Sequence, residues 1–374
     1  MRRSLRLPLR LAFIFVLAAA SASVMVLTRM IAFRVRAHAL NPITSAWIPK
    51  ANVNATRHHH AAEAMARSAG RRDAYGQTEN VERVFWNASP ASTRELLTRP
   101  NRSRFEVTVP VSGQLGNRMF QYASLLGIAE MNCGRTAFYR PSSTLGGIFQ
   151  VTRLADRPDK GFRVVYEKDF ATYDSVFENL PAENVALLQY LQSWRYFDFI
   201  HGTILREFTF LHSVKDSAAD LLKRYSAGTG HSKTRVGVHV RRGDLLRVRR
   251  VPKGYHTAPA SYVRKAMDFM RQKHGDVIFI FVTDDVSWCR REFQAADDVV
   301  IADRAPAEVH LAVLASCDHV IMTVGTYGWW GAYLAGGDVV YYWDREQCLH
   351  DPPLPVEIKR PQDFFLPSWV SLTG

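Results

Sequence analysis

Cysteine is scarce in this sequence. There are four in 374 residues (Cys133, Cys289, Cys317 and Cys348), and none lies in a C-x-x-C pair or a Cys/His cluster of zinc spacing. That excludes zinc-finger and thioredoxin-like classes. The even number still allows three full disulfide pairings in an oxidising compartment. Asp-x-Asp is absent altogether. A lumenal transferase that holds a nucleotide diphosphate through a divalent metal commonly uses that spacing. Without it, any diphosphate must be neutralised by positive side chains and helix termini. Acidic residues are rare at the N-terminal end: residues 1–104 carry 17 Lys+Arg and 5 Asp+Glu, and residues 105–374 carry 31 and 30. The body is therefore near neutral, which argues against a nucleic-acid surface.

What is present begins with an uncharged, mostly apolar run over 11–27, preceded by Arg2, Arg3, Arg6 and Arg10. This reads as a membrane signal-anchor with its N-terminus cytosolic. The rival is a cleaved signal peptide, with Ala20-Ser21-Ala22 as its cleavage site. Either way the body is lumenal. Acceptor sequons at Asn54, Asn87 and Asn101 agree with that, although Pro90 makes the second a poor acceptor. Residues 29–104 lack sustained periodicity and read as a stem, in which His58-His59-His60 is a solvated run.

Order begins at Phe105. A strand over 105–109, the turn Gly113-Gln114-Leu115-Gly116-Asn117, a helix over 118–131 stopped by Gly134, and a strand over 136–139 form one βαβ unit. Residues 145–200 carry little readable pattern; the aromatic-rich stretch 187–199 is expected to pack in this lobe. After a glycine-rich link near 226–230, strands are expected over 235–241, 277–283, 299–302, 319–324 and 338–342. Helices are expected over 261–274 (N-cap Ser261), 287–296, 306–316 and 327–335. Such alternation means α/β lobes with parallel sheets and a cleft between them.

Three strand ends of the second lobe carry polar groups to one edge: 241–244, 283–285 and 323–326. In the first of these strands Val236, Val238 and Val240 are expected on one face, with His239 and Arg241 on the other. Arg242, Gly243 and Asp244 fall at the turn; they spell an adhesion tripeptide, but the strand before them reads as buried. In the first lobe, Gly113 and Gly116 permit close backbone approach, and Asn117 lies near a helix N-terminus that favours anions.

These segments resemble the galactoside α-1,2-fucosyltransferase family, glycosyltransferase family 11. The resemblance is carried by GQLGNRMFQYASLLGIAEMN (113–132), YLQSWRYF (190–197), REFTFLH (206–212), VGVHVRRGDLL (236–246), FVTDDVSWC (281–289), CDHVIMTVGTYGWWGAYLAGGDVVYY (317–342) and FFLPSWV (364–370). The H-x-R-R-x-D pattern is shared with α-1,6- and protein O-fucosyltransferases; the Gly-Trp-Trp segment points to the α-1,2 group. The resemblance implies a GT-B-like fold of two Rossmann-like lobes with parallel sheets. It implies GDP-fucose as donor, no cofactor, no metal, and inverting transfer to the 2-hydroxyl of a terminal β-galactose. It places the chain in the Golgi membrane as a single-pass type II protein: tail 1–10, anchor 11–28, lumenal stem 29–104, acceptor-side lobe 105–228 and donor lobe 232–374. The partners implied are GDP-fucose, β-galactoside-terminated glycans and the membrane, with a homodimer as an option and no nucleic acid.

Carried over by position, Arg241 holds the β-phosphate, His239 lies beside the nucleotide, and Asp244 orients the arginines. Arg242 joins the donor site. Asn117 faces the fucose, with Gly113 and Gly116 in its turn, and Thr323 and Thr326 lie near the phosphates. Asp244 and Glu207 are the two candidates for general base. The sequence departs from the family's pattern at two places. His310 stands where the family has an aspartate that accepts two guanine hydrogen bonds. A neutral imidazole has one acceptor nitrogen, so base recognition is weaker, handled by Glu308, or different. Gln114 and Arg118 stand where Arg and Gln are usual. The readings left open are a fucosyltransferase for a core N-glycan or protein acceptor, and a catalytically silent GDP-sugar-binding protein, which His310 favours.

Overall fold

The computed structural model describes residues 103–140, 143–226, 233–246, 256–345 and 358–374. The anchor, nearly all of the stem, the three sequon asparagines and Cys348 lie outside these residues. Among the described residues no helix is long and apolar enough to cross a membrane.

The first lobe opens with β1 (Glu106–Val109), α1 (Leu115–Met131) and β2 (Thr136–Tyr139). It continues through α2 (Ser143–Gly146), β3 (Arg163–Tyr166), β4 (Val185–Leu188), α3 (His201–Glu207) and α4 (His212–Tyr225). Its four strands run in the order β2-β1-β4-β3, all parallel. Helix α1 is buried at nearly every position from Met119 to Ala129. A helix buried on every side belongs inside, and α1 packs against β1, β2 and α8.

The second lobe follows the expected alternation: β5 (Thr234–Val240), α5 (Ala260–His274), β6 (Val277–Thr283), α6 (Val286–Phe293), β7 (Val299–Ile301), α7 (Ala307–Ala315), β8 (His319–Met322), α8 (Thr326–Ala335), β9 (Val339–Tyr342), α9 (Pro361–Phe364) and β10 (Val370–Leu372). The sheet order is β10-β9-β8-β5-β6-β7, again all parallel. The chain winds outward from β5 through β6 to β7. It then returns to β8 on the other side of β5. The β5–β8 gap is therefore the topological switch point of a doubly wound sheet. Helix α5 starts at Ala260 with Pro259 at its cap, so Ser261 lies in the first turn instead of capping it.

Val236, Val238 and Val240 do share a face, packed with Phe279, Phe281 and Met267. Every residue from Val236 to Val240 is nevertheless buried, because helices cover both faces of a parallel sheet. The opposite face joins α7 and α8 to α1 and α4 in a core that runs through both lobes. Phe120, Phe197, Trp329 and Trp330 meet there with ring centroids 4.5–6.1 Å apart. α9 crosses to the first lobe. Asp363, fully buried, pairs there with Arg195 (3.0 Å) and Arg360 (3.1 Å) and accepts the Tyr173 N–H. The chain then returns to the second sheet as β10.

Cys133 and Cys289 are free thiols. A full pairing would engage all four cysteines, so none of the three allowed full pairings is formed.

Candidate functional site

The carboxyl ends of β5 and β8 are tied together. The Thr323 N–H donates to the His239 carbonyl at 3.0 Å, and the Arg241 N–H donates to Thr323 Oγ1 at 3.1 Å. Thr323 is buried, so its hydroxyl serves this junction. Arg241 leaves the junction about one-quarter exposed. Its Nε and Nη2 donate to the two oxygens of Asp244, both at 3.0 Å. That fork fixes the guanidinium plane and turns Nη1 toward the start of α8. Gly325, the residue before α8, has φ +93, and a Cβ there would lie 2.5 Å from Arg241 Nη1. The start of α8 has no side-chain cap, so its N–H groups and dipole stand beside the guanidinium as an anion site.

His239 projects from the other face of β5 against α8. A Cβ on Gly328 would lie 2.2 Å from its Nδ1. The ring is buried, its Nδ1 has no hydrogen-bond partner, and it lies 5.4 Å from the Tyr327 ring. Burial, reinforced by the charge of Arg241, pushes its pKa down to about 3. His239 is neutral at any working pH and cannot add charge to the site. Arg242 turns the other way. Its N–H donates to Asp284 at 2.8 Å, its Nε lies 3.5 Å from Asp285, and its guanidinium sits 4.0 Å over the Trp288 ring. It stiffens the turn at the end of β5.

The first lobe meets this site through the start of α1. A Cβ on Gly116 would come within 2.7 Å of the Thr326 backbone and of the Tyr327 nitrogen. Glycine alone lets the two helix N-termini approach so closely. The Trp330 indole donates to the Gly116 carbonyl at 3.0 Å. Asn117, the next residue, accepts at Oδ1 from Thr326 Oγ1 (2.9 Å) and from Gln192 Nε2 (3.0 Å). Gly113, exposed and at φ +74, makes room for its amide. Arg118 braces the same turn, donating to the Gly113 carbonyl at 2.8 Å and to Thr144. Arg241, Gly325, Thr326, Asn117 and Gly113 thus form one continuous line across both lobes.

His310 and Glu207 sit on α7 and α3. His310 is held on α7 by a 2.8 Å hydrogen bond between Nε2 and the Asp303 carbonyl. As the donor there, Nε2–H leaves Nδ1 the one acceptor on the ring. Glu207 is buried in the first lobe. Its carboxylate already accepts from the Tyr122 hydroxyl (2.6 Å), the Thr152 N–H (2.7 Å) and the Thr152 hydroxyl (2.5 Å). Three of the carboxylate's four lone-pair positions are thus taken inside the lobe. Gln192, Gly325 and Gly328 were not singled out in the sequence. The two glycines, three residues apart at a helix start, were the available signal. Gln192 lies within the family segment 190–197, but no local pattern marks it out, since its partner Asn117 is 75 residues away.

One group of metal-ligand type occurs among the described residues: His274, His319 and Asp338, whose ligand atoms lie within 4.8 Å of one another. It sits at the amino edge of the second sheet, away from the site. Lys273 already pairs with Asp338 at 2.7 Å, and His319 Nδ1 accepts the Asp338 N–H. The two imidazoles are stacked at 3.7 Å with an 18° tilt. His274 Nε2 lies 3.0 Å from Asp338, so the three residues already form an ion-pair cluster with Lys273.

The family model described as glycosyl transferase family 11 matches residues 77–373. A Bos taurus protein named galactoside 2-alpha-L-fucosyltransferase SEC1 is 37% identical over 281 residues, covering 71% of this chain and 74% of that protein. A Sus scrofa protein named galactoside alpha-(1,2)-fucosyltransferase 2 is 35% identical over 275 residues, covering 71% and 79%. Solved structures are more distant. A FUT1 mutant from Arabidopsis thaliana in complex with GDP is 13% identical with a TM-score of 0.44, covering 71% of this chain and 78% of that chain. On the match over most of its length and on the identity to these relatives, the chain belongs to glycosyl transferase family 11.

Proposed function

We propose that this chain is a galactoside 2-α-L-fucosyltransferase. It transfers the fucosyl group of GDP-fucose to the 2-hydroxyl of a terminal β-galactose, with inversion and without a metal. The observation that carries this reading is the Asp244-held Arg241 beside the uncapped start of α8 at the switch point. Family membership supplies the substrate class.

The bond from fucosyl C1 to the phosphate oxygen breaks early, and its electron pair goes to the diphosphate. Arg241 and the α8 N–H groups receive that charge, in the role a metal would otherwise fill. The galactose 2-oxygen bonds to C1 from the opposite face. Its proton becomes acidic only as the C–O bond forms, so water can take it. This accords with a buried Glu207 that already accepts three hydrogen bonds and an Asp244 that is paired with Arg241. The 11–27 run, the four arginines before it and the sequons favour a type II anchor with the body in the Golgi lumen.

The test uses the chain in detergent with GDP-fucose, lactose or a phenyl β-galactoside, and EDTA. A Fuc-α1,2-Gal linkage by NMR is expected. Another linkage, or dependence on added metal, refutes the reading. Saturable GDP-fucose binding without transfer would instead mark a binding protein. Arg241→Ala should cost about 2–4 kcal/mol of transition-state stabilisation, and near-normal turnover in that variant would remove Arg241 from the leaving-group role.

A further inference from the structure

Asn117 Oδ1 receives two hydrogen bonds, from Gln192 in its own lobe and from Thr326 in the other. A carbonyl oxygen has two lone pairs, so this one is filled. The amide nitrogen is thereby turned the opposite way. It lies over the exposed Gly113 turn, 2.4 Å from where a Cβ of that residue would be, with the Tyr190 ring alongside. Without the two donors, an asparagine amide could present either its oxygen or its nitrogen.

The segment that delivers Gln192 is unusual. Gln189 has φ +87 and Leu191 φ +53, both left-handed and neither glycine. Such conformations persist only where the surroundings over-determine them. Here Gln121 Nε2 holds the Gln189 carbonyl at 3.0 Å, Ser124 holds the Leu191 carbonyl at 2.8 Å, and Ser193 is tied to the Asp363 carbonyl at 2.6 Å. Gln192 itself is 2% exposed and its amide donates to Asn117. A strained, triply fastened loop thus serves to place one side-chain donor.

We infer that Gln192 is a positioning residue. Together with Thr326 it locks the Asn117 amide so that its N–H donors, and not its oxygen, face the substrate, where they meet lone pairs of the sugar nucleotide's oxygens. This rests on the proposed function. Gln192→Leu lets the amide turn over. Gln192→Glu goes further: a carboxylate there attracts the Asn117 NH2 and swings its oxygen toward the substrate.

The experiment is a double-mutant cycle on kcat and on donor KM, using wild type, Gln192→Leu, Gln192→Glu, Asn117→Ala and Asn117→Ala/Gln192→Leu. Gln192→Leu should lower kcat roughly tenfold, the worth of one misdirected hydrogen bond, with a smaller change in KM. Gln192→Glu should be worse than Gln192→Leu. The double variant should be no worse than Asn117→Ala, because Gln192 acts only through Asn117. Losses that multiply, or a Gln192→Glu as active as wild type, overturn the inference. Thr326→Val gives the same cycle from the other lobe should Gln192→Leu not fold. A wild-type chain that transfers no fucose refutes the function and not the orientation. That is read separately from the 15N signal of the Asn117 side chain, assigned by its loss in Asn117→Ala. The signal should shift in Gln192→Leu; an unmoved signal overturns the inference.

Discussion

Replacing Gly325 by alanine tests the geometry of the anion site more sharply than removing Arg241. Gly325 has φ +93 and ψ 159, a region essentially confined to glycine, so alanine there costs about 1–3 kcal/mol of stability. The new Cβ would also sit 2.5 Å from Arg241 Nη1. The guanidinium is the flexible party and must withdraw, and withdrawal breaks its paired 3.0 Å bonds to Asp244. Gly336 is the matched control. It too has positive φ, +71, but nothing lies within 4 Å of its added Cβ. Gly336→Ala should cost about 1–2 kcal/mol of stability and leave catalysis alone. Gly325→Ala should lose a similar stability and, in addition, about 10²–10³-fold in kcat, as expected for a displaced electrostatic donor. The assay pairs thermal unfolding with fucosyl transfer measured well below both transitions. If the two variants lose the same activity, Arg241 is not held at the working position by the room at Gly325, and the account of the site fails.

Other outcomes are expected elsewhere. Glu167 is buried beneath the Gln189–Ser193 loop, and burial raises its pKa from 4.5 to about 8, against the N–H of Leu191 and the Tyr196 hydroxyl. The folded state therefore keeps a proton that the unfolded state releases, and stability falls as pH rises from about 4.5 to 8. The full effect is on the order of 5 kcal/mol. Glu167→Gln should flatten that slope in melting temperature against pH; an unchanged slope would exclude Glu167 as its source. Asp363→Asn leaves two half-exposed arginines that water can solvate, so it should cost about 1–3 kcal/mol of stability by denaturant titration. A loss below a few tenths of a kcal/mol would mean that the charge does not fasten α9.

The second lobe was legible because its strands are buried on both faces and spell out apolar runs; β6 occupies the residues expected of it, Val277–Thr283. Its site was legible because strand ends in such a sheet carry the ligand groups. The stretch from 145 to 225 was not. β3 is an edge strand whose Val164 and Tyr166 point to solvent, so it lacks a core-strand pattern. α4 does carry one, with Val214, Ala218, Leu221, Leu222 and Tyr225 on its buried side, and periodicity could have found it. Gln192 and Asp363 could not be found that way. Each acts through a partner far off in sequence, Asn117 at 75 residues and Arg195 at 168, and local pattern carries no trace of such pairings.

The excursion of α9 has a consequence for building chimeras. By contact, Asp363 belongs to the first lobe, with Arg195, Tyr173 and Ser193. By strand pairing, Val370–Leu372 belong to the second. A single crossover at the 227–232 link would therefore mate each first lobe with a foreign buried carboxylate and a foreign Phe364. Exchanging the first lobe between relatives needs a three-segment graft in which residues 358–369 travel with residues 105–226, while β10 stays with its own sheet.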